Sequence, residues 1–286
     1  MVKTITWFKT YIERRQRMFT PFDRRMKAYE KIYNYSLSSE LPIVLRLDGK
    51  AFHSWTKKLE KPICSELETC FLQAIRETVK KIQYVTFAYY QSDEVSFIIR
   101  NDLTEKGEPW MQNRIQKFTS VITSMFTYYF NKYANLSFNN PQPAFFDCRV
   151  FNLPVYEITN YLIWRQNDCK RNIIQGFAQK YIGKKKIKGL STQILLEELK
   201  SKNVFLKDFI LDGYALYKVN FDKDNTTRHD WEINSAYNFI DNREHVFEIL
   251  SSLSPLFYKR DNIEDISENL DTITRNKLFT IRNSNF

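Results

Sequence analysis

Two acidic motifs in this 286-residue chain have residue types and surroundings suited to phosphoryl chemistry. Asp48-Gly49 closes the apolar run Pro42-Ile43-Val44-Leu45-Arg46-Leu47, and Gln91-Ser92-Asp93-Glu94 separates two aromatic, β-branched runs. Carboxylates held close together repel one another, and a hard divalent cation between them relieves the repulsion. Mg²⁺ takes oxygen ligands in octahedral geometry, only one or two of them protein carboxylates, with water and phosphate completing the shell. Two such ions roughly 3.5–4 Å apart clamp the attacking and leaving oxygens of a phosphoryl or nucleotidyl transfer. Asp48 and Asp93 suit that task. Adjacent strand residues point to opposite faces, so the metal goes to Asp93, and Glu94 is a supporting carboxylate. Gly49 lets the backbone approach a triphosphate and offers its carbonyl to the metal. Lys50-Ala51-Phe52-His53 then presents backbone N–H groups to phosphates. A plainer reading stays open: Asp-Gly after a strand is a common turn, and Asp-Glu at a hairpin tip is commonly just solvated.

The elements that must bring these carboxylates together are legible in the hydrophobic pattern. Residues 1–34 are basic and aromatic, and Met18, Phe22, Met26 and Tyr29 mark one helix face, with Pro21 as a break just before it. Ile43 to Leu47 reads as a buried strand. Leu67, Phe71, Ile75, Val79 and Ile82 mark an amphipathic helix. Tyr84 to Tyr90 and Val95 to Ile99 form a hairpin with the polar tip between them. Ile115, Phe118, Ile122, Met125 and Tyr129 mark a second helix, and Ala144 to Phe151 a strand stopped at Pro154. The order β-α-β-β-α-β is the split βαβ arrangement, an α+β antiparallel sheet with two helices on one face. In that topology the end of the first strand lies beside the hairpin, so Asp48 and Asp93-Glu94 become neighbours. Beyond residue 154 the pattern is mainly helical over Ile158–Ile182 and Thr192–Leu199, with a strand over Leu211–Phe221 and a polar, irregular stretch over 250–286.

Composition narrows the class. Aromatics make up 16% of the chain, ample for a core, which excludes wholesale disorder. Six glycines fall into neither GxxxxGK[ST] nor GxGxxG, which argues against a P-loop or a Rossmann site. The four cysteines include no CxxC pair and there are three histidines, so a structural zinc is a poor fit, and free thiols in a reducing cytoplasm fit best. No run approaches the ~18 apolar residues of a membrane span, and the start lacks the apolar core of a signal peptide. The chain therefore reads as soluble and cytoplasmic, without membrane partners. A formal charge of +10 favours a polyanionic partner, through release of counterions from phosphates.

Four blocks then resemble one known family: Arg46-Leu47-Asp48-Gly49-Lys50-Ala51-Phe52-His53, Gln91-Ser92-Asp93-Glu94-Val95-Ser96-Phe97, Phe146-Asp147-Cys148-Arg149-Val150-Phe151-Asn152-Leu153-Pro154 and Trp164-Arg165-Gln166-Asn167-Asp168-Cys169. In this order, over roughly residues 20–215, they resemble the tRNA-histidine guanylyltransferases, which are 3′–5′ nucleotide polymerases. The resemblance implies a polymerase/cyclase-like palm over residues 1–153, carrying a basic N-terminal helix, and a helical, fingers-like region over 154–286 that contacts RNA. It implies two Mg²⁺ ions held by Asp48, Asp93 and the Gly49 carbonyl. It implies ATP and GTP or other NTPs as substrates, bound by Asp48 to His53 with Ser92 and Asp93. Glu94 matches the family's third essential carboxylate, and Lys61 in Glu60-Lys61-Pro62 matches a lysine near the phosphates. The implied partner is tRNA, and the implied assembly is a homo-tetramer.

The chain departs from the eukaryotic pattern after Cys169. It has Lys170-Arg171-Asn172-Ile173 where those enzymes carry His-Ile-Asn-Asn. This resembles the guanylyltransferase-like branch of archaea, bacteria and phages, associated with template-directed repair of 5′-truncated tRNA. Arg149, Arg165, Lys170, Arg171 and Asn172 are candidates for the RNA 5′ end, with Arg165 equally placed to be a buried ion-pair partner of Asp168. Lys184 to Lys188 suits either the RNA backbone or a solvated turn. Three other functions remain open: strict addition of one G to tRNA-histidine, a palm-type nucleotide cyclase, and a non-catalytic RNA-binding module. The hairpin tip lacks the Gly-Gly that diguanylate cyclases place before their acidic pair, and a binding module has no need of Asp48 and Asp93.

Overall fold

The computed structural model describes residues 21–103, 109–139, 141–206, 213–221 and 228–235. The expectations for Met18 and the basic residues before Pro21, for Leu211 at the start of an expected strand, and for 250–286 lie outside them. Described first is α1 (Pro21–Ile32), which buries none of its residues: Phe22, Met26, Tyr29 and Ile32 form an exposed face. The sheet strands are β1 (Ile43–Gly49), β2 (Val85–Gln91), β3 (Glu94–Ile99), β4 (Phe146–Asn152), β5 (Tyr214–Phe221) and β6 (Arg228–Ser235). They form one antiparallel sheet in the order β4-β1-β3-β2-β5-β6.

The β4-β1-β3-β2 part is the expected split βαβ sheet. The sheet also takes β5, read as a strand in sequence, and β6, which was not, so residues beyond 154 supply two further strands as well as helices. A strand's pattern gives its faces but not its neighbour, so the β2–β5 pairing was not readable.

Strand alternation divides the side chains between two cores. Ile43, Leu45 and Leu47 of β1 and Val95, Phe97 and Ile99 of β3 pack under α3 (Ser65–Val79) and α4 (Thr123–Ser137). A single-turn helix, α2 (Phe52–Trp55), follows β1. Val44, Phe87, Tyr89 and Ile98 point the other way, against Ile158, Tyr161 and Leu162 of α5 (Val155–Ala178). Thus two helices cover one face, as expected, and α5 covers the other. A third cluster joins the end of α5 to α6 (Thr192–Ser201), whose N-cap Ser191 accepts a hydrogen bond from Ile194 N–H.

One helix face differs from the expected one by a residue. The buried positions before and along α4 are Phe118, Ile122, Phe126, Phe130 and Ala134, whereas Met125 and Tyr129 are only half-buried. A spacing of four drifts off a straight α-helix. The π-helical turn Phe118–Ile122, which carries more residues per turn, absorbs that drift.

Candidate active site

Asp48 stands near the end of β1, in register with Glu94 on β3 and Asp147 on β4. By strand parity it shares the α5 face of the sheet with Val44 and Arg46. Glu94 shares that face with Ser96 and Ile98. Ser92-Asp93 is the two-residue turn of the β2–β3 hairpin, with Ser92 at φ 52, the left-handed geometry that a tight hairpin demands of its first turn residue. Gly49 N–H donates to the Asp93 carbonyl at 3.1 Å and so pins the end of β1 to the hairpin tip. Ser92 Oγ donates to Asp93 Oδ1 at 3.1 Å. Burial, and then the negative charge of Asp48, push the Asp93 carboxyl above the ordinary carboxylate range. Burial is the larger cause, the Asp48 charge the second, and the Lys61 cation partly offsets them.

Gly49 is required for packing as well as for access. A Cβ there would lie 2.3 Å from Cδ2 of Phe52. Phe52 was expected at the nucleotide, but its ring is core: it packs on Trp55, Phe71, Phe130 and Phe146 at centroid distances of 5.2–5.7 Å. The position leaves only its backbone for a ligand. Ala51, at φ 56, turns the chain from β1 into α2, while exposed Lys50 ties its N–H to Phe145 O at 2.8 Å. Gly49→Ala is expected to lower folding stability by about 1–3 kcal/mol, the usual cost of overpacking, in urea-denaturation curves. Unchanged stability would show that Phe52 is free to move.

A cleft of about 640 Å³ opens beside the hairpin tip. Phe52, His53, Lys61, Ser92 and Asp93, all expected at a nucleotide, line it. Lys61 Nζ donates to Thr56 Oγ1 at 2.6 Å, and its charge acts on Asp93. Asn172, expected at the RNA 5′ end, also lines it, and further walls were not foreseen: Glu68 and Tyr90 on the α3 side, Cys169 of α5 and Lys180 just past that helix. Burial raises Glu68, whose Oε2 accepts a hydrogen bond from Tyr214 Oη at 3.2 Å.

Glu94 and the basic candidates require revision. Glu94 is buried between two arginines, 2.8 Å from Arg165 Nη1 and 3.9 Å from Arg46 Nε. Burial outweighs those cations and raises its pKa. Arg165 does not meet solvent as an RNA contact would. It is buried, bound to Glu94 and, at 3.1 Å, to Asp168. This is the ion-pair alternative read from the sequence, with a second carboxylate that no local spacing could disclose. Arg171 pairs with Asp168, Asn172 donates to Asp168 Oδ2 at 3.3 Å while lining the cleft, and Lys170 is half-buried. Arg149 alone among these lies beside the acidic pair as an exposed cation, 3.7 Å from Asp48 Oδ2. Lys184 to Lys188 form a solvated turn with only Ile187 half-buried. All four cysteines are free, and burial pushes Cys148 up to about 12.

The donors on offer for a cation are oxygens: the Asp48 and Asp93 carboxylates and the main-chain carbonyl of Gly49. No three His, Cys, Asp or Glu side chains converge as a ligand set among the described residues. Two carboxylates and a main-chain carbonyl fit a Mg²⁺ ion, which takes its other ligands from water and phosphate. Among the described residues, no helix is long and apolar enough to cross a membrane.

Comparison with known proteins places this geometry in context. The family profile described as tRNAHis guanylyltransferase (Thg1) matches residues 23–154. A bacterial tRNA(His) guanylyltransferase (Thg1)-like protein solved in complex with ATP superposes with a TM-score of 0.73 at 30% identity, covering 80% of this chain and 98% of that one. The corresponding GTP complex gives a TM-score of 0.69, also at 30% identity, over 81% of this chain and 99% of that one. An uncharacterised protein of Acanthamoeba polyphaga mimivirus is 27% identical over 62% of this chain and 68% of its own length. A probable tRNA(His) guanylyltransferase of Mus musculus is 30% identical over 50% of each chain, so this chain spans about half the length of that relative.

Proposed function

The chain belongs to the tRNA-histidine guanylyltransferase family of nucleotidyltransferases, and from that premise we propose that it adds nucleoside triphosphates, directed by a template strand, to the 5′ end of truncated tRNA. The observation that carries the reading is the hairpin tip: Asp93 lines a nucleotide-sized cleft, and its carbonyl accepts the N–H of Gly49, the residue next to Asp48. The stretch Lys170-Arg171-Asn172, which resembles the guanylyltransferase-like branch rather than the eukaryotic pattern, supports template-directed repair over strict addition of one G.

In this reading the RNA 5′ phosphate is activated by ATP or already carries a triphosphate. The 3′-hydroxyl of the incoming nucleotide then attacks that phosphate, and the activating group departs. The chain contributes mainly positioning and charge stabilisation. Lys61, Ser92 and the backbone of Lys50 to His53 hold the triphosphate, and Arg149 receives the RNA 5′ phosphate. Asp48, Asp93 and the Gly49 carbonyl would hold Mg²⁺, which when bound lowers the hydroxyl pKa and offsets charge on the phosphates. Glu94 acts through Arg46 and Arg165, fixing the strand that carries Asp93. The assembly we propose is a homo-tetramer, a reading supported by the family and by the exposed apolar face of α1.

The test is a tRNA lacking its first nucleotide, incubated with the purified chain, ATP, Mg²⁺ and labelled NTPs. The RNA should grow at its 5′ end by the nucleotide complementary to the opposing base, and a 3′-deoxy NTP should not be incorporated. Incorporation of G regardless of the opposing base would favour the strict G reaction. A cyclic nucleotide formed without RNA would favour a cyclase.

A further inference from the structure

We propose that the exposed ring of Trp164 is the stacking platform for the terminal base of the RNA 5′ end, an inference that rests on the nucleotidyl-transfer reading of Asp48 and Asp93. Trp164 projects from α5 with 54% of its surface exposed, although it stands between Ile163 and Arg165 in the best-packed part of that helix. The ring is held in place. The Arg165 guanidinium lies 3.9 Å from its centroid, Tyr161 meets it edge-on at 6.0 Å, and Arg46 approaches to 5.7 Å. Arg165 is itself fixed by Glu94 and Asp168. A rigid brace of this kind, which leaves 54% of the residue exposed, removes the ordering cost that a free surface ring would incur on binding. The burial that disqualifies Arg165 as an RNA contact makes it the support for one.

Position completes the argument. Arg46 precedes Asp48 by two residues on the same strand face, a separation of about 6.6 Å along the strand. A base lying on Trp164 is therefore on the sheet face that carries Asp48 and the exposed Arg149. The surroundings are polar, with the paired guanidiniums of Arg46 and Arg165 against the ring and the exposed Arg149 at Asp48, which suits a nucleotide better than an apolar protein surface. Stacking on an aromatic ring accepts any base, as a substrate end defined by its truncation requires.

The experiment uses an acceptor-stem RNA lacking its first nucleotide, with 2-aminopurine as the new terminal base. The wild-type chain should quench its fluorescence. Trp164→Leu should leave it bright and weaken RNA binding by roughly tenfold, with GTP affinity unchanged, and Trp164→Tyr should restore quenching. Equal quenching by Trp164→Leu overturns the platform, and so does a parallel loss of GTP affinity. A changed oligomeric state in Trp164→Leu with quenching intact overturns it too, and gives the ring to a contact between copies. A wild-type chain that extends RNA without quenching sinks the platform alone. One that neither binds nor extends RNA sinks the nucleotidyl-transfer reading together with it.

Discussion

Asp48→Ala and Asp93→Ala are each expected to lower nucleotide addition by roughly three orders of magnitude, with RNA affinity within a few fold of wild type. The size follows from the several kcal/mol of charge stabilisation that a metal centre contributes to phosphoryl transfer. RNA affinity survives because neither carboxylate attracts a polyanion. Loss of the half-exposed Arg149–Asp48 pair changes little, since exposed pairs contribute about 0–1 kcal/mol. Stability moves in the opposite sense to activity. Asp93 is raised by burial and by Asp48, so the folded chain holds its proton more tightly than the unfolded chain. Stability is then lost as pH rises from the ordinary carboxylate value through the raised one. Asp93→Asn should therefore be at least as stable as wild type at neutral pH without divalent ions. Activity that persists in either alanine variant would remove the metal assignment, and an equal loss of RNA binding would favour the non-catalytic module.

Glu94→Ala is expected to be the most destabilising change at the site, by about 3–5 kcal/mol, because it leaves buried Arg165 and half-buried Arg46 with their main counter-charge gone. Arg165→Ala should cost a similar amount by stranding Glu94. The double variant should cost less than the sum, since each deletion removes the partner that the other leaves unpaired. Urea denaturation of the four proteins measures this. If Glu94→Ala folds as stably as wild type but is inactive, the carboxylate takes part in the chemistry directly and the brace through Arg165 is secondary.

These two predictions mark where the sequence is informative and where it is silent. Asp48 and Asp93 could be brought together on paper because a split βαβ order dictates which strand ends are neighbours, and period-two alternation dictates their faces. The hairpin tip followed from local pattern, its polar residues falling between two β-prone runs. Depth was not legible. Arg165 and Phe52 sit inside family-like motifs, yet one is buried in an ion-pair network and the other is core. Motif membership reports that a position matters, not which way its side chain goes. The partner of Arg165 comes from β3, far away in sequence, and no local spacing encodes it. The Gly49–Phe52 contact depends on the left-handed turn at Ala51, which an alanine does not announce. The α5 wall of the cleft and the β2–β5 pairing are tertiary facts of the same kind.

Mn²⁺ binding in the presence of GTP, read by electron paramagnetic resonance, tests most directly whether two distant carboxylates form one cation site. The wild-type chain should bind two ions per nucleotide-loaded chain, and Asp48→Asn and Asp93→Asn should each bind fewer and more weakly. Identical Mn²⁺ binding by all three proteins would contradict the shared site.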